Sequence, residues 1–166
     1  MKPTRVLQLW FLAVGLILTL AVYAQAMPSV SAPNFRLTTL SGEPITKQSL
    51  QGRPTLLMFW ASWCETCQAE LPHLKALYEQ KKEKGLQALA IGFRDEESDV
   101  RGYVQAHRGT FSFPTAYDVN DRVSESFGVR ATPTFVVLDA HGRIVLVHVG
   151  GGFLQDPAVK KFIQEL

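Results

Sequence analysis

The sequence predicts an α/β domain built on a central mixed β-sheet with helices on both faces. Three observations carry that prediction. Continuous apolar runs at Thr55–Trp60 (TLLMFW) and Leu86–Phe93 (LQALAIGF) have the length and composition of buried strands. Segments of helical periodicity alternate with these runs, as crossover helices alternate with parallel strands. Two further apolar runs, Thr134–Leu138 and Arg143–Val149, flank Asp139-Ala140-His141-Gly142, which reads as a hairpin turn. Alternation followed by a hairpin places parallel and antiparallel pairs in one sheet.

The elements follow in order. Asn34–Leu40 reads as a short strand, closed by a turn at Ser41-Gly42. Thr46–Leu50 leads through Gly52-Arg53-Pro54 into TLLMFW. Glu65–Lys84 reads as a helix, because Leu71, Leu74, Leu77 and Tyr78 recur on one face. Lys81, Lys82 and Lys84 crowd its C-terminal end, where the helix dipole favours cations, and Gly85 supplies the stop. Glu97–His107 is a second helix with acids at its start, and Thr115–Tyr117 a short strand after Phe113-Pro114. Asn120–Phe127 is a short helix closed by Gly128, and Pro157–Leu166 a terminal helix with proline in its first turn. No internal repeat or low-complexity tract interrupts this order.

The first 26 residues read as an address. Lys2 and Arg5 are the only charges before Arg36, and Leu9–Ala24 is apolar apart from Thr19. A basic end, an apolar run and Ala24-Gln25-Ala26 have the layout of a secretory signal peptide. The run also approaches the ~20 residues that a spanning helix needs. Two readings therefore stand: a signal peptide cleaved near Ala26, or an uncleaved anchor touching the inner membrane through residues 6–24. Both send the remainder to the periplasm or another extracytoplasmic space, where disulfides persist. Residues 27–33 (MPSVSAP) read as a linker, and 34–166 as the domain.

Composition narrows the function. Without residues 1–26 the chain has 15 basic and 15 acidic residues, so no basic surface argues for nucleic acid. Its two cysteines are too few for a disulfide-dense scaffold. They form Cys64-Glu65-Thr66-Cys67, at the junction of TLLMFW and the following helix. A C-x-x-C at a helix start is a redox signal, because unpaired N–H groups and the helix dipole stabilise a thiolate. Cys64 is the more exposed to that field. Cys67, one turn in, is placed to resolve a mixed disulfide, and Trp63 would cover one side. Other uses of the pair are weaker. A four-residue loop closes little chain entropy, so a purely structural disulfide would stabilise little. A zinc site needs two more ligands, and His73, His107, His141 and His148 show no ligand-like pairing. Haem attachment needs His after the second Cys, and residue 68 is Gln. A peroxidase reading is weakened because no Cys lies outside the motif.

Phe59-Trp60-Ala61-Ser62-Trp63-Cys64-Glu65-Thr66-Cys67 resembles the active-site segment of the thioredoxin superfamily. Cys67-Gln68-Ala69-Glu70-Leu71-Pro72 resembles its TlpA/ResA branch, in which an acid and a proline follow the second Cys. Arg130-Ala131-Thr132-Pro133-Thr134 resembles the family's cis-Pro loop, and residues 94–127 include the branch's extra helix-and-strand insertion. The resemblance runs from about Ser31 to the C-terminus. It implies a thioredoxin-like fold with a TlpA-type insertion, no cofactor and no metal. It further implies Cys64 as attacking thiolate, Cys67 as resolving thiol, and the two as a redox-active disulfide. Glu70 becomes the active-site acid. Thr132 and Pro133 would face the disulfide, and with Trp63 would bind substrate. Two positions depart from plain thioredoxin. Met58 stands where that protein buries an Asp, which makes Glu70 the available acid. Glu-Thr replaces Gly-Pro between the cysteines.

The implied activity is a thiol:disulfide oxidoreductase acting on disulfides of exported proteins, apocytochromes c before haem attachment among them. With no cofactor it needs a thiol electron donor, which a membrane carrier would supply. Glu65 sets a negative charge beside Cys64, disfavours its thiolate, and predicts a reductant or isomerase-like protein rather than a strong oxidant. The alternative is a thioredoxin-fold module that binds clients or a metal without redox turnover.

Overall fold

The computed structural model describes residues 30–166. The signal-or-anchor segment 1–26 lies outside them. Among the described residues no helix is long and apolar enough to cross a membrane.

The strands are β1 (Val30–Ser31), β2 (Arg36–Thr38), β3 (Pro44–Thr46), β4 (Thr55–Trp60), β5 (Gln87–Gly92), β6 (Thr115–Tyr117), β7 (Thr134–Leu138) and β8 (Arg143–Val149). The helices are α1 (Lys47–Leu50), α2 (Glu65–Lys81), α3 (Glu97–Ala106), α4 (Arg122–Ser126) and α5 (Pro157–Glu165). Six strands form one sheet in the order β1-β8-β7-β4-β5-β6, and β2 and β3 form a separate hairpin. The pairs β4–β5 and β5–β6 are parallel, and β4–β7, β7–β8 and β1–β8 antiparallel. This is the predicted mixed sheet.

Two apolar cores hold it, one on each face, and β4 contributes to both by strict alternation. Leu56, Met58 and Trp60 face α2, α3 and α5, packing with Leu71, Leu74, Val100 and Val159. Leu57 and Phe59 face the opposite side, with Phe35, Leu50, Val123 and Val136. Every residue of β4 is buried, which is why the strand reads as a continuous apolar run. Helices cover both faces, but the second face carries only the short α1 and α4 and the β2–β3 hairpin.

Three local readings change. The predicted strand Asn34–Leu40 is ordered as β2 only over Arg36–Thr38. It turns back through Gly42, at φ 94°, to pair with the unpredicted β3. Within the predicted linker, Val30–Ser31 pairs with β8 and Ala32 is buried, so the fold begins before residue 34. The Lys47 ammonium reaches both Ser31 Oγ and the Ala32 carbonyl at 2.6 Å, fixing this segment by polar contacts. The helix predicted at Asn120 begins as α4 at Arg122, after a single 3₁₀ turn. Asp118 causes that start: its carboxylate accepts the Val123 and Ser124 N–H groups at 3.0 and 2.7 Å.

The helix predicted over Glu65–Lys84 is α2 to Lys81, then a 3₁₀ turn ending at Gly85, φ 95°. Of its terminal lysines, Lys81 donates to the Ile163 carbonyl of α5 at 2.8 Å, clamping the two helices together. The insertion takes its predicted form: α3, then β6 on the parallel edge of β5.

Candidate active site

Register brings four chain segments to one end of the sheet. Trp60, the last residue of β4, lies beside Gly92, the last of β5. Phe59 lies beside Thr134, the first residue of β7, and Thr134 beside Val149, the last of β8. The loops that continue from these residues carry Ala61–Cys64, Phe93–Asp95, Arg130–Pro133 and Gly150–Gly152. The parallel strands β4 and β5 both end here, where open α/β sheets place their sites.

Cys64 is the N-cap of α2, and Cys64 and Cys67 are joined in a disulfide with Cα atoms 5.2 Å apart. Cys64 Sγ accepts the Cys67 N–H at 3.1 Å, so one of the helix's unpaired donors already points at this sulfur. Both residues are buried, Cys64 at 6% exposure and Cys67 at 0%. The small opening at Cys64 gives the two sulfurs unequal access. Trp63 stands 60% exposed beside it.

The entry to α2 is fixed by polar contacts from the insertion. Asp95 accepts the Ser62 N–H at 2.6 Å and the Glu96 N–H at 2.9 Å. Gln68 on α2 donates back to the Ser62 carbonyl at 2.7 Å. The Tyr117 hydroxyl donates to the Asp95 carbonyl at 2.8 Å; burial, reinforced by the acids Glu96 and Asp121, holds that phenol protonated above its ordinary range. Arg94, at φ 51°, links two loops. Its carbonyl accepts Trp63 Nε1–H at 2.9 Å, and its guanidinium donates to the Arg130 carbonyl at 2.8 Å. Trp63 and the segment before Pro133 are thus held against one residue.

The Thr132–Pro133 bond is cis, as the resemblance implies. The Pro133 carbonyl accepts the Gly150 N–H at 2.8 Å, and Thr134 Oγ1 donates to the Ala131 carbonyl at 2.7 Å. Beside this loop, Val129, Ala131, Thr134, Val147 and Val149 line a depression of about 180 Å³. Pro72 lies inside α2, where its missing N–H leaves the Gln68 carbonyl without its helical partner.

Glu70 is buried at 6% exposure, one turn beyond Cys67 on the same side of α2. Its Oε1 accepts the Gly152 N–H at 2.6 Å. Among the described residues Oε2 is buried with no hydrogen-bond partner, and His73 Nδ1 stops 3.5 Å short of it. Met58 lies fully buried in the core that also holds Cys67, so the neighbouring strand offers no carboxylate at this position.

The predicted site residues therefore converge on one end of the sheet. Sequence reasoning missed the loop that closes the site, Gly150–Gly152, and the contacts of Arg94 and Asp95. Three consecutive glycines after a strand were the available signal. Gly151 lies close against α2: a Cβ there would stand 3.0 Å from Thr66 Cγ2 and 3.4 Å from Glu70 Oε1.

Comparison with known proteins agrees with this arrangement. The model of the AhpC/TSA family matches residues 28–147. The thiol-disulfide oxidoreductase ResA of Halalkalibacterium halodurans is 35% identical over 133 residues, covering 80% of this chain and 73% of that protein. The crystal structure of a candidate thiol:disulfide interchange protein DsbE from Chlorobium tepidum superposes with a TM-score of 0.75 at 26% identity, covering 82% of this chain and 95% of that one. A secreted Mycobacterium tuberculosis disulfide oxidoreductase, homologous to E. coli DsbE, gives 0.66 at 27% identity, over 80% and 96% of the two chains. With the Cys64–Cys67 disulfide at the head of α2, these matches establish that the chain belongs to the AhpC/TSA family, as a TlpA/ResA-like thiol:disulfide oxidoreductase of the thioredoxin superfamily.

Proposed function

We propose that this protein reduces disulfides in exported polypeptides outside the cytoplasm, delivered there by its N-terminal segment as a soluble or membrane-anchored protein. The observation that carries the reading is the Cys64–Cys67 disulfide at the N-terminus of α2, with Cys64 the less buried sulfur and already at an N–H donor. In the reduced protein the Cys64 thiolate attacks one sulfur of a substrate disulfide, and the other leaves as a thiolate. A mixed disulfide between Cys64 and substrate results. Cys67 then loses its proton to Glu70 and attacks Cys64 Sγ. The substrate departs as a dithiol, two electrons richer, and the Cys64–Cys67 disulfide is formed. A thiol donor, supplied at the membrane, returns the pair to the dithiol.

Trp63, Thr132 and Pro133 receive the substrate chain, whose backbone pairs beside Pro133 in the manner of an added strand. The exposed Trp63 ring and the depression next to the cis-Pro loop suit an unfolded segment better than a small molecule. Apocytochromes c before haem attachment are one client class with the required paired thiols.

Cys67→Ser tests the activity, because without its resolving thiol Cys64 retains clients as mixed disulfides. We expect mass spectrometry to find exported proteins joined to Cys64 in Cys67→Ser and none in Cys64→Ser. Client binding by Cys64→Ser, together with no disulfide reduction by the wild-type protein, would instead support a binding module. Direction is tested separately. Glu65 disfavours the Cys64 thiolate and so favours the disulfide; equilibration with glutathione should give a potential well below the about −120 mV of the strongest periplasmic oxidants.

A further inference from the structure

One peptide group joins two ionisable side chains, the buried Glu70 and the partly buried His148. The Gly151 carbonyl is 3.1 Å from His148 Nε2, and the N–H at the other end of that peptide, on Gly152, donates to Glu70 Oε1 at 2.6 Å. On the far side of the ring, His148 Nδ1 is 2.9 Å from Asp156 Oδ2. A carbonyl and a carboxylate only accept hydrogen bonds. Both ring nitrogens must therefore donate, and a neutral imidazole has a single N–H. Making both bonds requires His148 to be the imidazolium. Its side chain is 16% exposed and lies against Phe135 and Phe153, whose rings stack 4.3 Å apart.

We infer that His148 and Asp156 form a positioning pair for Glu70, holding the Gly151–Gly152 peptide so that its N–H is aimed at Oε1. This rests on the proposed role of Glu70 as the proton acceptor for Cys67. The Gly152 N–H and the cation behind it lie on the Oε1 side of the carboxylate. They engage Oε1 alone, which leaves Oε2, buried without a hydrogen-bond partner among the described residues and 3.5 Å from His73 Nδ1, as the oxygen that takes the proton. The charged groups that act on His148 are Asp156, at the head of α5, and Glu70 on α2; β7 and the turn after Gly152 present Phe135 and Phe153. Burial alone would make His148 less basic, but the Asp156 and Gly151 hydrogen bonds outweigh it and hold the ring above its ordinary range. When the ring loses its proton it can donate to only one of Asp156 and Gly151, so the continuous tie from Asp156 through the ring to the Gly151–Gly152 peptide is cut.

The test uses the full chain. Single-turnover reduction of a disulfide-bearing model peptide is followed against pH for the wild type, Glu70→Gln, His148→Gln and the double variant. Imidazole nitrogen NMR follows His148. We expect His148→Gln to lower the rate about tenfold and to move the acidic limb of the profile upward, with no further loss when Glu70 is already Gln. We expect both His148 nitrogens to carry protons near neutral pH, and Glu70→Gln to make His148 less basic, as reciprocal linkage demands. A singly protonated ring near neutral pH overturns the inference. So does an equal loss from His148→Gln with and without Glu70. A wild-type profile for Glu70→Gln overturns the role of Glu70 itself, a failure readable apart from the other two. Should His148→Gln not fold, the NMR comparison of the wild type with Glu70→Gln decides alone.

Discussion

The site has a near half and a far half, built by different means. Trp63 to Glu70 span little more than two helical turns, and their relative placement follows from one helix start. Pro133, Gly150–Gly152 and His148 arrive from the β7–β8 hairpin; the Gly152–Glu70 bond alone crosses 82 residues of chain. The near half carries the reactive groups. The far half meets them with a backbone donor, the Gly152 N–H on Glu70, and is itself tied by the Gly150 N–H on the Pro133 carbonyl and by the Gly151 carbonyl at His148. Chemistry here is local in sequence, and its alignment is imported through the sheet.

Gly151→Ala gives the largest expected break between the halves, because it alters the loop that meets α2 and leaves both cysteines in place. Its Cβ would stand 3.0 Å from Thr66 Cγ2, tighter than most real contacts, so the loop or the Thr66 methyl must give by a few tenths of an ångström. Gly151 is itself exposed, so no core is overpacked. We expect the disulfide reduction rate to fall about tenfold, the cost of a misplaced catalytic group, with the fold retained by circular dichroism. Removing the obstructing methyl with Thr66→Ala should recover part of that loss, and the recovery is the measurement that checks the contact.

Asp95→Ala sharpens the comparison from the other side, through the anchor of the near half. Asp95 comes from the insertion after β5 and accepts the Ser62 N–H ahead of Cys64. Without it that donor loses its partner. We expect a loss of stability of about 1–3 kcal/mol by denaturant unfolding, and a smaller effect on the rate than Gly151→Ala, since α2 still caps on Cys64.

The same division explains what could be read in advance. The strands β4, β5 and β7 are apolar after their first residues, and the cysteine motif is contiguous, so each is visible in a short window. Pairings made by backbone alone are not. Val30–Ser31 lies in a Ser/Pro stretch with nothing to mark it as a strand, yet it borders β8 because that edge is open. The return strand Pro44–Thr46 is three residues long and begins with proline, a poor strand former. His148 looks like an isolated histidine until the fold sets Asp156 and Gly151 at its two nitrogens. Glu70 is marked in the sequence only by its match to the acid of the family motif, and the donor at its Oε1 is not marked at all.

The smallest predicted effect separates the His148–Asp156 pair as a structural tie from its part in the reaction. His148 is more basic in the folded protein despite burial, through its bonds to Asp156 and Gly151. Asp156 is more acidic, chiefly through His148 and then the Ala158 N–H. For His148 the stabilisation is fully present below its unfolded value of about 6.5 and is lost as pH rises through the higher folded value. For Asp156 it is present above about 3.9 and is lost as pH falls through the lower folded value. Together they favour the folded state most between those two limits. Thermal unfolding against pH should therefore show His148→Gln losing stability relative to the wild type in that interval, with the difference narrowing at alkaline pH. Asp156 is partly exposed, which lets solvent screen the pair, so the shift in midpoint should be small. A small stability change beside a tenfold rate change would place the value of this pair in aiming the Gly152 N–H, whereas proportional changes would make it a tie between β8 and α5 and nothing more.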